Sequence, residues 1–382
     1  MFSTNADVII AIGLFCNFNK RIIMKAKYFN KSVEEKLFFS SLKERVNEKL
    51  KYKNVSYGDA RFWFKGLFWT LVCYSAYSLL FFSNSKIVFW LFYVIFQLSG
   101  LLIGFSFGHD ASHNTAFRNK KANSILHFFS FLTVGIDPLL WGLRHIRSHH
   151  LYANVEGSDI DIDKNPFLRL SPTHPWKPKH RYQAYYAPFV YMFTLLHSVF
   201  MSDWVYLFSD EYDWMKRGIA KIDLYFRFML YKVVYFSLAL VIPILYTDFS
   251  WVFVVFAFIT ASAFTSLVFI IMLVGTHFFD GADYPQPEGE FLEHTWAVHQ
   301  LHTSCDWDAN KGWARFLSGG SNCHAAHHLF PNICHTNYSE INLIIEETTK
   351  EYKQPYHHKT LFEMMFSHFK HLHKMGKSEF YN

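Results

Sequence analysis

The stretch that decides the fold runs Ile87-Val-Phe-Trp-Leu-Phe-Tyr-Val-Ile-Phe-Gln-Leu-Ser-Gly-Leu-Leu-Ile-Gly-Phe-Ser-Phe-Gly108 and then His109-Asp-Ala-Ser-His113. Its first 22 residues contain one Gln and no charge. As a helix rising about 1.5 Å per residue they cover roughly 33 Å, close to the ~30 Å hydrocarbon core of a bilayer. A membrane span that ends on two histidines four residues apart places a polar site at the membrane surface.

Three further runs have the same character. Residues 66–82 follow Arg61 and Lys65, residues 226–246 carry Arg227 and Lys232 near their start, and residues 251–275 are uncharged throughout. Long basic side chains near a span end can snorkel to the interface. The turns at 83–86 and 247–250 hold one of the chain's 37 basic residues. By the positive-inside rule the other polar segments share the cytoplasmic side. The expected architecture is an all-α integral membrane protein with four transmembrane helices in two hairpins and a cytoplasmic helical cap. Residues 1–61 form a cytoplasmic N-terminal segment and 62–382 the membrane domain, with 109–225 and 276–382 building the cap.

Two other apolar stretches read as interfacial or cap helices, with a pair of extra spans as the alternative, which leaves the topology of the ends unchanged. Residues 125–140 are broken by Asp137-Pro138, and 184–208 contain His197 and Asp203, both costly in lipid. Residues 25–61 are basic, with Phe38, Phe39, Leu42 and Val46 at helical spacing, which predicts an amphipathic helix on the membrane or on the catalytic face. The first 23 residues contain a short apolar run at 8–16 and are otherwise uninformative, and Met24 offers a second start.

Composition agrees. The chain is 51% hydrophobic, 20% aromatic and 18% charged, against about 25% charged for soluble domains. Such a chain can bury ample surface, which excludes disorder. Five cysteines (Cys16, Cys73, Cys305, Cys323, Cys334) without metal-like spacing exclude a disulfide scaffold and suit a reducing compartment. The net charge of +6 is what proximity to anionic lipid produces and implies no nucleic acid.

Histidine is the unusual residue, at 22. After His109 and His113 come His145-Ile-Arg-Ser-His149-His150 and, beyond the last span, His324-Ala-Ala-His327-His328. Residues three and four apart share a helix face, with Cβ atoms about 5–6 Å apart, so His109 and His113 can grip one ion. His150 and His328 are each turned about 100° from their neighbours, so a three-histidine box can serve two ions. His277, in Gly275-Thr-His277 at the same membrane depth, is a ninth candidate. His174, His180, His357, His358, His368, His371 and His373 read as scattered surface histidines.

The ligand set narrows the chemistry. A zinc protease needs His-Glu-x-x-His, and no box has that Glu. A structural zinc takes four ligands, and a metal-dependent hydrolase takes about three with an open position. A metal transporter predicts ionisable residues along the spans, and 87–108 and 251–275 have none. Two metals under nitrogen ligands beside a bilayer imply redox chemistry on a lipid-like substrate.

The pattern resembles the membrane fatty acid desaturase and hydroxylase superfamily from about Met24 to the C-terminus. The residues that carry it are His109-x-x-x-His113, His145-x-x-x-His149-His150 and His324-x-x-His327-His328. Trp296-Ala-Val-His-Gln-Leu, Thr303-Ser-Cys-Asp-Trp307, Gly319-Gly-Ser-Asn322 and His327-His-Leu-Phe-Pro-Asn-Ile-Cys-His335 look closest to bacterial acyl-CoA desaturases related to the front-end (delta-5 and delta-6) enzymes. The resemblance implies a cap holding two Fe ions on eight to ten histidines, His277 among them, with O2 as co-substrate. It implies a fatty acyl substrate on CoA, lipid or a carrier protein, in contact with membrane lipid. Front-end enzymes usually open the third box with Gln, where this chain has His324. The His-Pro-Gly-Gly haem motif of a fused cytochrome b5 domain is absent from this sequence, so electrons come from a separate donor such as ferredoxin or cytochrome b5. Hydroxylases and acetylenases share the scaffold and are separated by product analysis.

No catalytic side chain is expected beyond the metal ligands. Groups that orient the imidazoles through their free N–H are sought among Asp110, Asp159 (with Asp161 and Asp163) and Asn322. Arg144, Arg147 and Lys179, near the second box, are candidates for a phosphate-bearing head group.

Overall fold

A computed structural model describes residues 26–29, 32–53, 57–162 and 165–377. The run at 8–16 and Asp163 lie outside them. The described chain is mostly helical, with two short parallel strand pairs, Lys27–Tyr28 with Phe291–Leu292 and Asp306–Trp307 with His358–Lys359.

Three helices are long and apolar enough to cross a membrane: Lys86–Ser112, Lys221–Tyr246 and Trp251–Thr276, with mean hydropathies of 2.1, 2.1 and 2.4. The expected run at 66–82 does form a helix, Ala60–Leu80, packed against Lys86–Ile103 across a short turn. It is not among the three, because Lys65 and its Trp, Tyr and Ser residues dilute its hydropathy. The 184–208 stretch supplies the other candidate. Pro178–Tyr191 and Thr194–Phe208 meet at a 76° bend, as in a broken span or a re-entrant loop. Residues 125–140 divide into the helix Lys120–Phe131 and the start of Pro138–Arg144, neither long enough to cross.

Lys232 corrects the snorkelling expectation. It is 2% exposed and donates to the Asp203 carboxylate at 2.7 Å and to the carbonyls of Gly135 and Val199 at 2.8 and 3.1 Å. Asp203 also accepts the Asp137 amide at 2.8 Å. The acid that looked costly in lipid is thus the partner of the base that looked free to leave it.

The amphipathic helix is Val33–Lys53. Phe38, Leu42 and Val46 are fully buried, packed with Ile341 and Ile345 of Tyr338–Glu351. It therefore lies on the cap. Four of the histidines expected at the surface are buried: His174, His180, His368 and His371. His368 bridges the Phe278 carbonyl and the Tyr191 hydroxyl, both at 2.7 Å, which docks the C-terminal helix Leu361–Met375.

Removing one member of a buried ion pair leaves an uncompensated charge and costs about 3–5 kcal/mol. Asp203→Ala should therefore lower the melting temperature of the detergent-solubilised protein sharply, and Asp203→Leu with Lys232→Met should recover most of the loss.

Candidate metal centre

Each histidine box lies on a short helical segment, and the first directly continues a long apolar helix. Lys86–Ile103 passes through a π turn, Gly104–Gly108, into His109–Ser112. The second box begins after a helix started by Pro138, whose preceding Asp137 side chain accepts the Leu140 amide. His145–His149 is itself a π turn, followed by His150–Tyr152. Such wide turns inside helices recur at functional sites. The third box is the six-residue helix His324–Leu329. Gly319 and Gly320 precede it with φ of +61° and +82°, and a Cβ on Gly319 would fall 2.0 Å from the Phe105 carbonyl oxygen. Only glycine lets the third box approach the first-box π turn this closely. His277 follows the short turn Val274–Thr276 at the end of the last long helix.

The structure brings all nine histidines together. His109, His113, His145 and His327 form one group with ligand atoms within 4.8 Å of one another. His149, His277, His324 and His328 form a second, and His150 lies between them with His327 and His328. Each three-histidine box is thus divided: His145 serves the first group and His149 the second, His327 the first and His328 the second.

The spacing fits metal ligation. Two nitrogens each about 2.1 Å from one ion, about 90–110° apart, lie roughly 3.0–3.4 Å from each other. The Nε2 atoms of His109 and His145 are 3.1 Å apart, those of His277 and His328 3.2 Å, and those of His277 and His324 2.7 Å. The Nε2 atoms of His113 and His327 are buried without a hydrogen-bond partner. Eight of the nine rings are buried and His113 is half-buried.

Burial disfavours the charged imidazole. It lowers His113 to about 4 and His324 to about 3, and takes His145, His150, His327 and His328 well below the usual range. These rings are neutral, the form that binds a metal. His149 departs from the rest. Burial lowers it, and the nearby Asp159 and Asp161 carboxylates outweigh burial and raise it.

In the second group every Nδ1 faces an acceptor: the Asp159 carboxylate for His149 at 3.2 Å, the Thr303 carbonyl for His277 at 2.7 Å, the Ser321 carbonyl for His324 at 3.1 Å, and Gln300 Oε1 for His328 at 2.7 Å. Such acceptors fix the tautomer and leave the Nε2 lone pair for an ion. The first group is held by packing instead. Trp141 stacks on His145 at 4.6 Å, and the Nδ1 atoms of His109 and His327 have no partner.

Of the outer groups sought in the sequence, Asp159 touches a box histidine, and Asp161 reaches the same ring at 3.6 Å. Asp110 faces away from the box. It accepts from His335 Nδ1 and from the Cys334 thiol, and Lys65 donates to the other nitrogen of His335. Asn322 bonds Ser318 Oγ at 2.8 Å and the Trp307 carbonyl at 3.2 Å, shaping the turn before the third box. Asp306 accepts the Ala325 amide at 2.8 Å, at the start of the third-box helix. Gln300 and His335 are functional candidates without an assigned role in the sequence, although both lie in motifs quoted above. The head-group expectation fares poorly. Arg144 pairs with Asp161 at 3.0 Å, Arg147 donates to the Met215 and Arg217 carbonyls, and Lys179 donates to Pro166.

Loss of an outer partner of this kind typically costs 10–100-fold in metal affinity. Gln300→Ala should weaken metal binding by a loss of that size, read as metal per chain across a chelator series.

The fatty acid desaturase family matches residues 85–360. The chain is 29% identical over 354 residues to an acyl-lipid (8-3)-desaturase of Physcomitrium patens, covering 91% of this chain and 73% of that one. It is 28% identical over 371 residues to a probable Delta(5) fatty acid desaturase C of Dictyostelium discoideum, covering 92% and 79%. It is 28% identical over 279 residues to an sn-1 linoleoyl-lipid 6-desaturase of Arthrospira platensis, covering 72% and 74%. With the family matched across most of its length and two four-histidine groups at the end of its apolar helices, this chain belongs to the fatty acid desaturase family and is an oxidoreductase that desaturates fatty acyl chains.

Proposed function

We propose that each four-histidine group holds one iron ion, with His150 at their shared edge, and that the pair acts on an acyl chain carried by a membrane lipid. The observation that carries this reading is the pairing of the boxes into two sets whose Nε2 atoms converge at metal-ligand spacing. When bound, two irons with O2 supply an oxidant able to break unactivated C–H bonds. Over the reaction two C–H bonds on adjacent carbons break and a C=C bond forms. O2 takes up two electrons and two protons, together with the two hydrogens, and leaves as two waters.

The protein's part is ligation, orientation and exclusion of water. The second group, braced by Asp159, Thr303, Ser321 and Gln300, is the rigid half. The first group rests against Trp141 and the π turn that ends the first long apolar helix, on the side where a chain rising from the bilayer would arrive. His324 replaces the Gln that opens the third box in front-end enzymes and adds an imidazole to the braced group.

The membrane arrangement proposed is two hairpins, Ala60–Leu80 with Lys86–Ser112 and Lys221–Tyr246 with Trp251–Thr276. The termini and the metal centre are cytoplasmic, and the membrane domain begins near residue 62. Support comes from the near absence of basic residues in the two tight turns and from the clustering of all three boxes at one end of the long helices. The names of the relatives support an acyl lipid as substrate and a delta-5 or delta-6 position. The electron donor is a separate protein such as ferredoxin or cytochrome b5.

Expression in a host of known lipid composition tests the reading. Purified protein should carry about two irons per chain, and the host's lipids should gain one new double bond at a single position. Both should be lost in His149→Ala and in His327→Ala. One zinc per chain with an unchanged lipid profile would overturn it.

A further inference from the structure

On the C-terminal helix Leu361–Met375, Phe362 and Phe366 stand one turn apart and are 83% and 69% exposed. The opposite face, with Met364, His368 and Leu372, is buried in the cap. Trp313, on the short helix Gly312–Ser318, is 48% exposed. Large aromatics clustered on an otherwise well-packed domain mark an interaction surface.

The depth of this patch is set by contacts with the end of Trp251–Thr276. Met364 lies so close to Gly275 that a Cβ there would come within 2.6 Å of its side chain. The Trp307 indole donates to the Met272 carbonyl at 3.0 Å, and the Trp313 ring lies 5.9 Å from Trp307. The Cys305 amide donates to the Thr276 carbonyl at 2.8 Å. The patch is therefore level with the point where this apolar helix ends, the depth at which Trp and other aromatics line membrane interfaces.

The patch also continues an apolar surface. Phe316, on the same short helix as Trp313, packs on Phe68 and Trp69 of Ala60–Leu80, whose outward face exposes Phe64, Leu67 and Leu71. Further along the C-terminal helix the exposed residues are Lys370, which also pairs with Asp280 at 2.6 Å, and His373, with Lys377 exposed just past the helix end. Exposed aromatics, with Glu363 between them, followed by basic residues are an order in which an interfacial helix meets acyl chains and then anionic head groups.

We propose that the C-terminal helix is a membrane contact of the cap, with Phe362 and Phe366 inserted in the leaflet from which Trp251–Thr276 emerges and Trp313 beside them. The occupant of this face is the lipid bilayer. The contact holds the cap against the bilayer, so that acyl chains enter the metal centre without crossing water. The inference rests on the reading of Trp251–Thr276 as a span.

Nitroxides placed by Phe362→Cys, Phe366→Cys, Leu91→Cys and Glu48→Cys in the full chain, reconstituted in nanodiscs of phosphatidylcholine and phosphatidylglycerol, test it by power saturation. Cys16 is replaced by Ser throughout, and that chain serves as background, since the cysteines at 73, 305, 323 and 334 are buried. Oxygen should outweigh a water-soluble nickel chelate as relaxing agent at 362, 366 and 91, and the order should reverse at 48. Nickel dominance at 362 and 366 with oxygen dominance at 91 would overturn the proposal and leave the span reading standing. Nickel dominance at 91 would overturn both. Protection of 362 and 366 from both agents would mean that protein covers the face, and would also overturn the proposal.

Discussion

The structure depends on nine imidazoles packed side by side, eight of them buried. A buried polar atom without a partner costs about 1–3 kcal/mol, and a cluster of like groups cannot protonate together in a site closed to water. The arrangement is tolerable when each ring gives its N–H outward and its lone pair to a shared cation. The second group does this at every position, through Asp159, Thr303, Ser321 and Gln300. The first group keeps two unpartnered Nδ1 atoms and relies on stacking. This asymmetry gives the two halves of one centre different rigidity.

The fold serves that constraint. Helices end in π turns at the first two boxes, and paired glycines let the third box press against the first-box turn. Where a charge enters the apolar part of the chain it is matched, as Lys232 is by Asp203. The Lys65–His335–Asp110 chain does the same beneath the first box, joining Ala60–Leu80 to the loop after the third box.

Patterns confined to one helix were legible in the sequence. Hydropathy over 87–108 and 251–275, histidines at three- and four-residue spacing, and His277 at a span end all express local periodicity. What joins distant segments was not legible. Gln300 meets His328 across 28 residues, Asp110 meets His335 across 225, and Asp203 meets Lys232 across 29. Nothing in local spacing signals such pairs. The burial of His368 and His371 was missed for the same reason, because the C-terminal helix reads as polar until its partners Tyr191, Phe278 and Leu170 are in place. The 66–82 run is a weaker signal of the same local kind. Its length suits a span, and the Trp and Tyr residues within it, with Lys65 just before it, make its helix less apolar than the other three.

The central claim is that two ions sit in two distinct four-histidine groups. An anomalous difference map at the iron edge, from crystals of the purified protein, tests it most directly. Two peaks are predicted, one among the Nε2 atoms of His109, His113, His145 and His327 and the other among those of His149, His277, His324 and His328. A single peak, or a peak held by Asp110, Cys334 and His335, would contradict the account.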